Sequence, residues 1–276
     1  MPHPESVITV SQLYVYPVKS CKAISLESAS FDARGFVHDR AWAAVDKDGK
    51  VLTQRDDPKM ALIEPRIENG PKKGSYNLFL NAPGMSPIAI PTQEDDGASE
   101  AEVWGDLCKA TDQGDEAASW LSEYLERPVR LRKMHSTEKR AVGKAGRNYP
   151  ESTVNFQDVY PLLIISEASL NALNQELEAP VSMNRFRPNI VVRGCAPYAE
   201  DQWRQIIIGK TRIDIVEPCA RCVVTTIEQE TGRKGGEPLK TLARLRLQGN
   251  KTMFGQNAIH LGLDNIAVGD SLEVLL

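Results

Sequence analysis

The stretch Thr211–Ile227, TRIDIVEPCARCVVTTI, carries two cysteines three positions apart between two runs rich in β-branched residues. Ile213 and Ile215 alternate with Arg212 and Asp214, the period of a half-buried strand, and Val223 to Ile227 make a second β-prone run. A redox dithiol normally opens a helix within a strand–helix–strand unit. Strand-like sequence on both sides of Cys219 and Cys222 speaks against that unit, and with many short strands and few helices along the chain it points to a mainly β architecture with peripheral helices (α+β), not to a doubly wound parallel sheet.

The rest of the chain agrees. Short β-rich runs bounded by turn formers predict strands at Leu162 to Ile165, Asn189 to Val192, Gln205 to Ile208 and Ser271 to Leu276. The first half adds Val7 to Val18, Ile24 to Phe31, Ala41 to Val45, Val51 to Thr53, Tyr76 to Leu80 and Ile88 to Ile90. Asp48-Gly49 predicts a tight primed hairpin turn. Ala117, Trp120, Leu121, Tyr124 and Leu125 make one apolar stripe on a helix from Asp115 to Arg127, stopped by Pro128. A second helix opens on Ser166 as N-cap, with Leu170, Leu173 and Leu177 on one face, and a third opens with Pro238 at its first position and closes near Gly249. Glu94 to Glu102 reads as an acidic, solvated loop. The stretch Arg130 to Pro150 is basic and suits either a solvated linker or a segment facing an anionic ligand. A domain boundary falls at its start, giving an N-terminal β-barrel-like domain over 1–130 and a second β-barrel domain over 131–276.

A net charge of -4 excludes nucleic acid or an anionic membrane as the main partner, because neither offers a counter-charge to an acidic surface. No run of apolar residues is long enough to span a bilayer, and the N-terminus lacks a basic region followed by an apolar one, so a soluble, cytoplasmic protein is expected. Five cysteines, an odd and sparse set, fit a reducing compartment better than a disulfide framework.

Taken alone, Cys219 and Cys222 leave several readings open. They suit half a zinc site completed by Cys108, Cys195 or His260, a redox dithiol, one thiolate bound to a softer metal, or two buried structural cysteines. Arg221 lies inside the pair, and a neighbouring cation favours thiolate over thiol.

Four other segments narrow the choice. They are Pro17-Val18-Lys19-Ser20-Cys21-Lys22, His38-Asp39-Arg40-Ala41-Trp42, Asn184-Arg185-Phe186-Arg187-Pro188-Asn189 and Phe254-Gly255-Gln256-Asn257. In this order, with Cys219-Ala220-Arg221-Cys222 and the closing Val268-Gly269-Asp270, they resemble the MOSC family from about Ile8 to Leu276. The likeness is to members with an N-terminal β-barrel extension (MOSC-N), typified by the mitochondrial amidoxime reducing components and their bacterial relatives.

The resemblance implies a molybdenum cofactor (Mo-molybdopterin) whose metal is bound by the second cysteine, Cys222, leaving the role of Cys219 open. It places Lys19, Ser20, Arg40, Arg187, Asn189, Ala220 and Arg221 at cofactor-contacting positions; the four cations suit a phosphate, and Ser20 and Asn189 add neutral hydrogen bonds. Gly255-Gln256-Asn257 is expected to line the metal pocket, with Asn257 among the catalytic residues where the mitochondrial proteins commonly carry Tyr. Val159 and Tyr160 stand where those proteins have small hydroxyl residues. The implied reaction reduces N-hydroxylated compounds, such as amidoximes, N-hydroxylated bases and hydroxylamines, to the N–H form. Without a ferredoxin-type cysteine motif or a membrane anchor, the chain is expected to draw electrons from a separate donor: a flavoprotein reductase, a ferredoxin-like protein or a b-type cytochrome. The alternative implied by the same family is a cofactor-binding or sulfur-carrier protein without reductase turnover.

Overall fold

A computed structural model of the protein describes residues 7–70, 76–92, 98–143 and 148–275. Its largest sheet follows the order Ile24–Leu26, Thr9–Val15, Ile190–Arg193, Leu162–Ser166, Lys251–His260, Thr211–Ala220, Gln205–Ile208 and Leu272–Leu275. All neighbours are antiparallel except Leu162–Ser166 with Ile190–Arg193, which the intervening helix Glu167–Asn174 connects as a crossover. The last strand's lead-in returns to the first strand, with Val10 N–H donating to Asp270 O and Leu272 N–H to Ile8 O at 2.9 and 2.8 Å. The sheet thus curls around an apolar interior that includes Val10, Leu13, Phe36, Leu162, Ile164, Ile190, Ile206 and Ile213.

The first strand of the chain therefore completes the second half's sheet. The rest of the first half builds a four-stranded sheet in the order Ala98–Val103, Asp106–Asp112, Arg130–Met134, Trp42–Val45, and a three-stranded one of Glu64–Asn69, Tyr76–Asn81 and Ile88–Pro91. Helix Asp115–Leu125 buries the whole predicted stripe, Ala117, Trp120, Leu121, Tyr124 and Leu125, in a core around Trp42 and Leu131. Mainly β with peripheral helices is the architecture found.

Local departures from expectation have local causes. Of the acidic stretch, residues 94–97 lie outside the described residues, but 98–103 is strand, not loop: Ala101 and Val103 are buried while Glu100 and Glu102 point outward, the two-residue alternation of a half-buried strand. Val51 to Thr53 is not a strand. The Asp56 carboxylate accepts both the N–H and the hydroxyl of Thr53 at 2.9 Å, which folds 53–57 into a turn. Val223 to Ile227 is also not a strand but a single 3₁₀ turn over Val223–Thr226; the Thr225 and Thr226 hydroxyls donate to Cys222 O and Val223 O and offer the backbone a local alternative to the ladder. Pro238 precedes its helix as the cap, and that helix ends at Leu245 because Leu247–Gln248 turns back through Gly249 to pair with Lys251 and Thr252.

The Asp48-Gly49 turn is not the primed type. Only Gly49 takes positive φ, with its N–H on Asp46 O, and the Asp46 side chain accepts from Asp48 N and Lys50 N. The two-residue primed turn lies at Trp104-Gly105, φ +55° and +94°, between Val103 and its partner Asp106.

Candidate functional site

A cavity of about 310 Å³ opens where the two halves meet, and all nine residues singled out from the sequence line it: Lys19, Ser20, Arg40, Arg187, Asn189, Ala220, Arg221, Cys222 and Asn257. They arrive from five separate segments. Lys19 and Ser20 leave the first strand; Lys19 N–H bonds Trp42 O at 2.8 Å, and Arg40 N–H bonds Tyr16 O at 2.7 Å, so the two segments are laced side by side. Arg187 and Asn189 lead into Ile190–Arg193, and Ala220 ends the strand that carries Cys219. Register shifts between Ile215 and Glu217 and between Pro218 and Ala220 bend that strand as it approaches the cavity.

Ser20, Arg40 and Arg187 all sit in the left-handed region, with φ of 69°, 46° and 56°. Non-glycine residues there are uncommon and held by their surroundings, and such positions gather at binding sites. Gly255 (φ +79°) makes a different close approach: a Cβ there would stand 2.6 Å from Ile165 Cγ1, so only glycine lets Lys251–His260 pass Leu162–Ser166 at this point. Two residues on, Asn257 lines the cavity, opposite Leu163 and Glu217, and its carboxamide has no protein partner among the described residues. Gln256 points the other way, contrary to the expectation that the segment lines the pocket as a unit. Strand alternation sends its carboxamide to Asp201 at 2.7 Å.

The cavity is strongly basic. Lys19, Arg40, Arg55, Arg187, Arg221 and Lys251 line it against two acids, Asp158 and Glu217. Asp39, fully buried behind it, accepts from Tyr16 N at 2.9 Å, from Arg40 Nη1 at 2.7 and 2.6 Å, and from Gln157 Nε2 at 3.2 Å, which fixes Arg40. Arg40 and Arg187 both lie over the Tyr16 ring, 4.0 and 4.2 Å from its centre, and Tyr16 donates to Pro188 O at 2.9 Å. Burial, then repulsion from Arg40, brings Arg187 down to about 10, which leaves it charged at neutral pH. Lys19 is lowered by burial, while Asp158, 2.5 Å from its Nζ, works the other way. Desolvation works to raise Asp158, but Lys19, the Trp104 indole and Arg55 together outweigh it and hold the carboxyl below its usual range; with its side chain half exposed at the mouth, these contacts are screened.

Two assignments change on contact with the geometry. Arg221 serves Cys219, not Cys222: its Nη1 lies 3.0 Å from Cys219 Sγ and its Nη2 2.7 Å from Phe186 O. The cation on Cys222 is Arg55, whose Nη2 donates to Sγ at 3.0 Å and which sequence reasoning passed over. Asn189 also spends most of its amide internally, on Tyr14 O, Leu163 N and Arg40 Nη1 at 3.2, 3.3 and 3.4 Å, so it ties two strands together at the cavity floor. Asp158, Gln157 and Lys251 were missed too; single polar residues outside any motif give no signal until the fold collects them.

Cys219 and Cys222 are both free thiols, and burial pushes the Cys219 thiol up against the pull of Arg221. Among the described residues no three His, Cys, Asp or Glu side chains gather as metal ligands, and Cys108 lies in a separate core, so the site offers a metal the soft thiols of Cys219 and Cys222 and not a four-ligand zinc cage. Arg187 Nη2 and Arg221 Nε are buried donors without an acceptor among the described residues. Unmet buried donors on cavity-lining cations call for an anionic or multi-acceptor ligand.

Comparison with known proteins identifies the family. Residues 7–128 match the MOSC N-terminal beta barrel domain and residues 151–273 the MOSC domain. Mitochondrial amidoxime reducing component 2 of Bos taurus is 36% identical, over 88% of this chain and 74% of its own length. Mitochondrial amidoxime-reducing component 1 of Homo sapiens is 34% identical, over 98% of this chain and 84% of its own. Molybdenum cofactor sulfurase of Bos taurus is 28% identical, over 92% of this chain but only 30% of its own. Both matched domains, in this order and over most of the sequence, establish that the chain belongs to the MOSC family, in the group whose MOSC domain follows an N-terminal β-barrel domain.

Proposed function

We propose that the chain is a molybdenum-cofactor-dependent oxidoreductase that reduces N-hydroxylated compounds, such as amidoximes, N-hydroxylated bases and hydroxylamines, to the N–H form with electrons from a separate donor protein. The observation that carries this reading is the convergence, from six distant segments, of two cysteines, six cations and a carboxamide without a protein partner among the described residues on one cavity.

The donor set fits the group. Cys222 would hold the metal through a soft sulfur, the donor type that suits a metal already bound by dithiolene sulfurs. Lys19, Arg40, Arg187 and Arg221 would hold the anionic cofactor; Arg187 Nη2 and Arg221 Nε are the unmet donors such a ligand satisfies. When bound, the cofactor supplies two-electron chemistry at an N–O bond, which takes up two protons and releases water. The protein's share is orientation. The Asn257 carboxamide, free to donate or accept, holds the substrate's N–OH, and the Asp39–Arg40–Tyr16 lattice keeps the cofactor's cations in place without reorganisation.

A second reading, a cofactor carrier without turnover, draws on the similarity to the molybdenum cofactor sulfurase over 92% of this chain. Turnover separates them. Chemically reduced, metal-loaded protein is expected to convert benzamidoxime to benzamidine; loaded protein that stays inert towards benzamidoxime, N-hydroxyguanidine and methylhydroxylamine under several reductants establishes the carrier instead.

A further inference from the structure

Arg55 is the residue on Cys222, and the way it is held is unusual. The turn that carries it is closed by Asp56 on Thr53, with Arg55 N–H on Thr53 Oγ1 at 3.2 Å. The preceding residue, Gln54, is fully buried and forms a reciprocal carboxamide pair with Gln229, 3.0 Å in each direction, while its Nε2 also reaches Ser20 O at 2.7 Å. That pair fastens the Arg55 backbone to the half of the protein that carries Cys222.

The side chain is held separately. The Arg55 guanidinium lies over the Trp104 ring, 4.7 Å from its centre, and the Trp104 indole N–H donates to Asp158 Oδ1 at 3.0 Å. Trp104 occupies the first position of a two-residue primed turn at φ +55°, a place that favours Asn, Asp or Gly, and it is more than half exposed. Neither turn geometry nor core packing asks for tryptophan there. What the indole does is flank two cations, Arg55 and, at 5.8 Å from its centre, Lys19, and anchor one carboxylate at the cavity mouth.

We propose that Arg55, steadied by Trp104, is the positioning residue that keeps a positive charge and an N–H donor on the Cys222 sulfur, and so raises the reduction potential of a metal bound to that sulfur. This rests on the molybdenum reading above. A cation beside the ligand sulfur favours the electron-richer state of the metal, and hydrogen bonds to ligand sulfurs are an established means of setting a potential. Arg221, the cation nearest in sequence, is occupied by Cys219 and Phe186 O and leaves this task to Arg55.

The test is a mediated titration with dithionite of the metal-loaded protein, followed through sulfur-to-metal absorption, with metal content measured beside it. Arg55→Met at wild-type metal content is expected to show a one-electron potential lowered by at least a tenfold change in equilibrium constant, 59 mV. An unshifted potential in loaded Arg55→Met overturns the proposal. Should Arg55→Met lose its metal, the decision passes to Trp104: a lowered potential in Trp104→Ala that Trp104→Phe restores supports it, and wild-type potentials in both overturn it. Wild-type protein that takes up no molybdenum overturns both this inference and the function on which it rests, a failure distinct from an unshifted potential.

Discussion

Cys219 and Cys222 stand three positions apart and meet different cations, Arg221 on one and Arg55 on the other, because the bent end of the strand and the 3₁₀ turn after it point the two sulfurs to different neighbours. The nine candidate residues stood out in the sequence as motifs, and the fold brings all nine to one cavity. The pairing was not, since Arg55 lies in TQRDDP, a stretch that looks like an ordinary surface turn until Gln54 buries and pairs. Two residue-scale consequences follow from backbone and burial. Gly255→Ala forces a Cβ against Ile165 at positive φ and is expected to cost about 2 kcal/mol or more in chemical denaturation. His38, beside Trp42 and Tyr76, is lowered to about 4 by burial and by Lys133. Its folded value lies below the ordinary 6.5, so the unfolded chain takes up the proton first and stability falls as pH drops from 6.5 towards 4. Urea unfolding at pH 7.5 and 5 should show that loss, and His38→Gln should reduce it by on the order of 1–2 kcal/mol.

Among the elements, alternation and capping carried most of what the sequence disclosed. The Asp115–Leu125 stripe and the Ser166 cap are found as read, because an apolar face at helical spacing and a hydroxyl before it act locally. Ser166 Oγ accepts from Ser169 N at 3.0 Å in a fully buried setting, so Ser166→Ala is expected to lower stability by about 1–2 kcal/mol, read by thermal melting, with metal content unchanged. The elements that escaped notice were those whose pattern was masked by charge or chemistry of another kind. Ala98–Val103 hid its buried alanine and valine among glutamates, Glu64–Asn69 carries a proline, and the primed turn falls on Trp104-Gly105, not on the expected Asp48-Gly49. Threonine hydroxyls decided Val223–Thr226, where β-branched composition suggested strand.

For the whole molecule, an acidic chain builds a basic cavity by gathering cations whose sequence positions run from 19 to 251, with the acids Asp39 and Asp158 placed to hold them. Such a site exists only in the folded state, so a cofactor bound there stabilises the fold by mass action. Protein loaded with the proposed cofactor is expected to melt about 10 °C above protein without it, measured by calorimetry on both forms. The central claim is narrower, that Cys222 and not Cys219 is the metal ligand, and it is tested most directly by molybdenum and oxidised-pterin content per chain in wild type, Cys222→Ser and Cys219→Ser. The expected result is near-stoichiometric molybdenum and pterin in wild type, molybdenum retained in Cys219→Ser and lost in Cys222→Ser; molybdenum retained in Cys222→Ser, or absent from wild type, contradicts it.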